Sequence, residues 1–433
     1  MSISRRNFVI ASAALAALGP RTVRAQSTSN RPEYLIVCIA DGGWDTLYAL
    51  DPKPGVADVD SPEGPMEYQR TFADDLYIQC NDESRPSVTR FFEDWGSQTA
   101  LINGMSTGSI VHEPCRIRLL TGTTQASNPD WATRFGYLKS TGEPLGSIDF
   151  SGLGYPGSLA ASTGRVGVRS QLKALLDPNS TYKAPTWADY QLPLFQPTED
   201  QEFAIREVLE QRAAAYKALR GGSPENAHKV EDMLLSLDRR TRLQQDAGAI
   251  TGELDLGTTP SFRSQTQLAV GLLRQGLCRA VTIKHELDWD THASNAKQPG
   301  NFEDFFRTLS TLLEDLQANG ILDKTLVVVV SEMGRTPRMN ISGGKDHWTH
   351  TSQMIIGAGV QGGRTYGATN DGVESKKMDL ATGEVTGDGL DDNAPGDLLQ
   401  YTHFAAGILA HLDIDPAEYY PGITPFTGFS NLA

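Results

Sequence analysis

Residues 324–334, KTLVVVVSEMG, set four consecutive valines between a lysine-threonine pair and a polar turn. A run that is apolar at every position leaves a strand no face for water. Strands of this kind are buried on both sides, which is the habit of parallel sheets covered by helices. Four other runs repeat the pattern: YLIVCIADGGWD (34–45), TALING (99–104), RAVTIKHEL (279–287) and SQMIIGAG (352–359). The first of these ends in Asp-Gly-Gly, which reads as a buried strand opening into a turn.

Amphipathic segments alternate with these runs. FRSQTQLAVGLLRQGL (262–277) places Leu268, Leu272 and Leu273 on one helical face. NFEDFFRTLSTLLEDLQANG (301–320) reads as a helix capped by Asn301 and stopped at Gly320, and DLLQYTHFAAGILAHL (397–412) as one that starts at Asp397. Strand–helix alternation predicts an α/β layered sheet, and 433 residues suffice for one large domain or two smaller ones. Residues 155–260 break the pattern. They are loop-rich to about 198, then carry two amphipathic helices joined at Gly221-Gly222, and are expected to form a helical insertion beside the sheet. The acidic stretch 371–396 reads as a surface loop or short hairpin, and its Asp388, Asp391 and Asp392 fit no regular calcium loop.

The formal net charge of −15 argues against nucleic acid and anionic membranes as partners. SRRNFVIASAALAALGPRTVRAQ, with Arg5-Arg6, Phe8, an Ala/Leu run and small residues before Gln26, reads as a twin-arginine export signal over residues 1–25. That predicts folding in the cytoplasm, passage through the twin-arginine translocase, and a periplasmic or secreted mature protein. Cys38, Cys80, Cys115 and Cys278 are few and widely spaced, with no Cys-x-x-Cys pair. Cys38 and Cys278 lie in apolar runs and are expected to be buried thiols; one disulfide is left open.

The polar residues that stand out follow strand ends, the edge where open α/β sheets bind ligands. Asp41 follows the first run, Asp288, Asp290 and His292 (LDWDTH) the third, and Glu332 the four valines. His347 and His350 (GGKDHWTHTS) precede the last run. A carboxylate with two histidines is a common transition-metal set. Asp290, His292 and one later histidine would make one such site, and Asp41 with Glu332 would suit a second, harder ion. The expected cofactor is a divalent ion: zinc, manganese or calcium. Arg335 and Arg338 follow Glu332 closely and either face the site or form surface salt bridges. Trp44, Trp289 and Trp348 stand within three residues of these groups, and their faces would suit stacking on a sugar or aryl group.

HEPCRIRLLTG (112–122) resembles the sulfatase signature Cys-x-Pro-Ser-Arg-x-x-x-Leu-Thr-Gly. Pro114, Arg116, Leu120, Thr121 and Gly122 are in register, but His112 replaces the nucleophile-forming cysteine and Cys115 the serine. The order of motifs resembles the alkaline-phosphatase-like superfamily of phosphatases, sulfatases and phosphoglycerate mutases. DGGWDTL, DWDTHASN, SEMGRTPRMN, GGKDHW and GGRTYGATN resemble, over nearly the whole chain, an exported bacterial family known as domain of unknown function 1501. The resemblance implies an alkaline-phosphatase-like three-layer sandwich over 31–433, with a mostly parallel central sheet, helices on both faces and the insertion at about 155–260. It implies metal ligation by Asp41, Asp290, His292, Glu332 and His347, preferring Asp290 to Asp288 and His347 to His350.

The departures from that pattern matter equally. Met333 stands where the superfamily has a metal-binding histidine, and a thioether is a poor ligand for a hard cation. His112 cannot become formylglycine, so ordinary sulfatase chemistry is excluded. His112 is left as metal ligand, nucleophile or general acid/base, with Arg116 as the group that supports the anion. Two functions follow as expectations. One is a periplasmic metal-dependent hydrolase of phosphate or sulfate esters, its substrate a small anionic ester, in one version of a carbohydrate. The other is a catalytically degenerate scaffold that serves as a binding or assembly component, with a partner from another exported family of unknown function.

Overall fold

A computed structural model of the chain describes residues 31–166, 198–220 and 260–432, with short pieces between 181 and 243. The signal segment 1–25, the Gly221-Gly222 joint and most of the second insertion helix lie outside the described residues. The first insertion helix spans Glu199–Arg220.

Eight strands form the main sheet. In chain order they are β1 (Tyr34–Ile39), β2 (Thr99–Ser106), β3 (Ser147–Asp149), β4 (Thr163–Arg165), β5 (Ala280–Lys284), β6 (Thr325–Val330), β7 (His350–Gly357) and β8 (Arg364–Tyr366). They lie side by side as β8-β2-β7-β6-β1-β5-β3-β4. β1 sits between β6 and β5 and is parallel to both, with Val37 opposite Val328 and Thr282. Only β7 runs against its neighbours, pairing antiparallel with β6 and with β2. The SQMIIGAG run therefore reported burial correctly but said nothing of direction. It is buried, Ser352 and Gln353 included, because it is central, and an inner strand is covered on both faces whichever way it runs.

The alternation of β1 separates two cores. Ile36 and Cys38 face one layer with α1 (Pro86–Trp95), while Leu35, Val37 and Ile39 face another with α2 (His112–Thr121) and α3 (Trp131–Lys139). The first layer is completed by α4 (Phe262–Arg274) and α5 (Gln298–Ala318), and the second by α6 (Tyr401–His411). This is a helix–sheet–helix sandwich. Side chains of period two leave each central strand to opposite faces, so both need helical cover.

Two helix starts differ from their sequence signals. α5 begins at Gln298, with Pro299 in its first turn, and Asn301 instead donates its amide to the carbonyl of Asp288 at 2.9 Å. α6 begins at Tyr401, because Asp397 exchanges backbone hydrogen bonds with Met378. Gly320 ends α5 as expected, with φ +68°. Within 371–396, Lys377–Met378 pairs with Val385–Gly387 as a short antiparallel hairpin. All four cysteines are free and buried. Among the described residues no helix is long and apolar enough to cross a membrane.

The core should respond to truncation in proportion to burial. Phe305 is fully buried and stacked on Phe262, with ring centroids 5.0 Å apart. Phe305→Ala should cost about 3–5 kcal/mol in urea unfolding. Phe203→Ala, on the insertion helix and 71% exposed, should stay within about 0.5 kcal/mol. Equal losses would refute this placement of the core.

Candidate functional site

β1, β5, β6 and β2 all end at one edge of the sheet, and antiparallel β7 begins there. The five segments carrying Asp41, Asp290/His292, Glu332, His112 and His347 therefore meet. Glycine permits the closest approaches. Gly42 has φ +123°, and a Cβ there would lie 2.7 Å from the Asp290 amide nitrogen. A Cβ on Gly344 would lie 2.0 Å from the carbonyl oxygen of His292.

Beneath the edge lies a charged floor. The Arg335 side chain is fully buried. It donates to the carbonyls of Gly43 (2.8 Å), Lys345 (3.1 Å) and Trp289 (3.1 Å), to that of Gly42, and to Asp290 Oδ1 at 2.6 Å. Lys345 and Asp45, both buried, pair at 2.9 Å, and Asp45 also accepts from Asn295 at 2.8 Å. Burial works against the charge of Asp290, but the Arg335 hydrogen bond and charge outweigh it and hold that carboxyl down to about 2.

Above this floor sit the imidazoles. His292 Nδ1 meets Asp346 Oδ1 at 2.8 Å, and His347 Nδ1 meets the Ile110 carbonyl at 2.6 Å. Both partners only accept, so each Nδ1 carries a proton, and in the neutral ring Nε2 then presents a lone pair. Those two Nε2 atoms lie 2.9 Å apart, and both face Asp290 Oδ1, at 3.1 Å from His292 and 3.2 Å from His347. With both rings neutral, three acceptors so placed repel one another unless a proton or a metal cation stands among them. Their spacing is near the roughly 3.3 Å edge of a tetrahedral site with bonds of about 2.0–2.1 Å. Burial pushes the His347 pKa down, against the opposing hydrogen bonds to the Ile110 carbonyl and Asp290. His112 offers a further ligand atom, since it, Asp290 and His347 lie within 4.8 Å of one another. The two groupings share Asp290 and His347. The His292 contacts are the shorter, and we take that set as the tighter one.

His112 occupies the first turn of α2. Its Nδ1 meets Glu332 Oε1 at 2.7 Å and its Nε2 lies 3.3 Å from Asp290 Oδ2. The Glu332 hydrogen bond raises its pKa, against the opposing effect of burial. Glu332 is fully buried and also accepts the Gly42 amide on both oxygens, at 3.0 and 3.1 Å. Asp41 is bound by Arg116, whose Nε and Nη2 each reach Oδ1 at 2.7 Å, and by Lys284 at 3.4 Å. Asp41 and Glu332 are thus near one another, with their oxygens engaged by protein cations and amides.

Other candidates are elsewhere. Asp288 Oδ1 accepts the Asp290 amide at 3.0 Å and stabilises the turn. His350 pairs with Ser375 Oγ at 2.6 Å, and Arg338 forms a surface pair with Asp58. The tryptophan expectation is overturned for two of three residues. Trp44 and Trp289 are fully buried against Phe302 and Phe305, and the half-buried Trp348 donates its ring N–H to the Val373 carbonyl. Met333 is buried as well. Sequence reasoning missed Lys284 and Asp346. The signal for Lys284 was available, as a charge closing an apolar strand, like Asp41; Asp346 was only the acidic neighbour of His347.

A three-layer α/β sandwich with a histidine–carboxylate cluster at the carboxyl ends of its strands is the class this fold and site define. Within it the chain belongs to the family described as "Protein of unknown function (DUF1501)", which matches residues 33–383. None of the curated proteins compared with the chain matches it. Solved structures similar to it include the PsFucS1 sulfatase from Pseudoalteromonas sp., at 10% identity over 93% of this chain and 73% of that one, TM-score 0.39. They also include a protein in the alkaline phosphatase superfamily from Vibrio parahaemolyticus, at 8% identity over 89% and 69%, TM-score 0.36.

The floor can be tested without reference to activity. Lys345→Met leaves Asp45 charged and buried, and should cost about 3–5 kcal/mol of unfolding free energy. Adding Asp45→Asn should recover part of that loss; if the double variant instead loses the sum of the two single losses, the pair is not coupled.

Proposed function

We propose that this protein is an exported metal-dependent hydrolase of phosphate or sulfate esters. The observation that carries the reading is the pair of His292 and His347 lone pairs, 2.9 Å apart and both directed at Asp290. Each ring donates its other N–H to a carboxylate or carbonyl, the usual support of a metal-binding histidine. Asp290, His292 and His347 would hold one divalent ion, which when bound supplies Lewis acidity to an ester oxygen or a water.

The remaining residues supply orientation and proton transfer. Arg116 and Lys284 offer two cations to a tetrahedral anion beside Asp41. His112, its Nδ1–H fixed by Glu332, turns Nε2 toward Asp290 in the ligand set and carries a proton there. Water adds to phosphorus or sulfur, the bond to the alcohol oxygen breaks, and the alcohol leaves with a proton. In this reading Asp41 and Glu332 serve the anion site and His112 and do not hold a second ion. The twin-arginine route and a periplasmic or secreted location complete the proposal.

The scaffold reading draws on one observation of its own: Met333 is buried where a ligand for a second ion would be needed. Metal analysis with a panel of esters separates the two. The purified protein should carry one equivalent of divalent metal. His292→Ala should lose it, Asp346→Ala should weaken metal affinity about 10–100-fold, and His112→Ala should keep the metal while kcat falls about 10²–10⁴-fold. Unchanged metal content in His292→Ala would sink the metal assignment. Metal without turnover on any ester would leave the scaffold.

A further inference from the structure

Resting on that reading, we infer that the ester's alcohol is apolar: the site takes amphiphilic esters, with the anionic head at the metal and cation wall and an alkyl chain along an aliphatic rim. Three separate segments border the His–Asp cluster, and each exposes large aliphatic side chains. On the first, Ile110 is 51% and Val111 57% exposed, although the Ile110 carbonyl is itself the partner of His347 Nδ1. Val111 immediately precedes His112 as the N-cap of α2.

On the second segment, Leu287 is exposed just before the turn in which Asp288 accepts the Asp290 amide. On the third, Met339 is exposed and Ile341 stands fully in solvent. They flank Asn340, whose amide donates to the His292 carbonyl at 2.9 Å and to Asp346 Oδ1 at 3.1 Å. Gly344 in the same loop abuts His292 so closely that it has no room for a Cβ. These loops are fixed to the ligand set by hydrogen bonds, so the residues that carry the aliphatic side chains are held beside the site.

Leaving side chains of this size in water gains nothing for folding, and their presence on three segments tied to one polar centre fits a binding surface. The charge pattern selects its occupant. Arg116 and Lys284 lie with Asp41 and provide for the anion. The aliphatic rim then faces whatever the anion is attached to. A sugar would want aromatic faces and paired polar groups, but of the three tryptophans beside the ligand residues two, Trp44 and Trp289, are buried in the core.

The experiment uses the full-length metal-loaded protein and unbranched probes from two to eight carbons, all below their critical micelle concentrations. Binding of n-alkylphosphonates, which cannot be hydrolysed, is measured by calorimetry. Turnover is measured as phosphate or sulfate release from n-alkyl phosphates and sulfates, against glucose 6-phosphate and glucose 6-sulfate. Affinity and kcat/KM should rise about three- to fourfold per added methylene, the ratio that burial of one such group yields. Val111→Ser with Ile341→Ser should flatten that slope. A flat slope in the unaltered protein, or preference for the glucose esters, would overturn the apolar-alcohol inference while leaving hydrolysis intact. A clear slope in phosphonate binding, with no release from any ester, would uphold the rim and defeat the hydrolase reading instead.

Discussion

A guanidinium buried without water must find an acceptor for every N–H it can, and Arg335 meets that demand by gathering backbone. Its partners are carbonyls from the turn after β1, from Trp289 and from Lys345, together with the Asp290 carboxylate. These belong to three loops that have no sequence relation to one another. Since leaving a buried charge unsatisfied is far costlier than ordering a loop, Arg335 holds the three in one arrangement. The Lys345–Asp45 pair repeats the device a few residues away. The site above inherits its geometry from this floor. Asp290 is ionised and oriented by Arg335, and the two imidazoles are then aimed at a carboxylate oxygen that cannot swing away.

The fold was largely legible because apolar runs report burial, and burial dominates the energetics of a sheet of this kind. β1, β2, β5, β6 and β7 all fall on the runs that predicted them. What such runs cannot encode is direction. β7 is buried like the parallel strands of the sheet and runs the other way, since side-chain environment in a covered strand is nearly independent of strand polarity. The three-residue strands β3, β4 and β8 lay below any periodicity threshold. Helix starts slipped where a tertiary partner outbid a local cap: Asn301 reaches across to Asp288, and Asp397 is taken up by Met378.

At the site, the residue types were legible and their roles were not. Asp41, Asp290, His292, Glu332 and His347 stand at strand ends and were selected for that reason, as His112 and Arg116 were on resemblance. That Asp41 would be claimed by Arg116 and Lys284 required three segments to be seen together. The assignment of ring protons needed Asp346 and the Ile110 carbonyl, neither of which has a sequence mark. Tryptophan misled, because an aromatic next to a polar residue looks the same in sequence whether it lines a site or packs beneath it. Trp289 alternates with Asp290 across the chain, one side chain going to the core and the next to the edge.

The position of β1 has a consequence for biogenesis. It is made first among the strands, yet its two neighbours are residues 280–284 and 325–330. Until most of the chain has left the ribosome, an apolar segment buried on both faces in the finished protein has nothing to pair with. Sheets closed by such distant partners form slowly and expose sticky surface meanwhile. The strand at the middle of the sheet is thus among the last to have both edges paired.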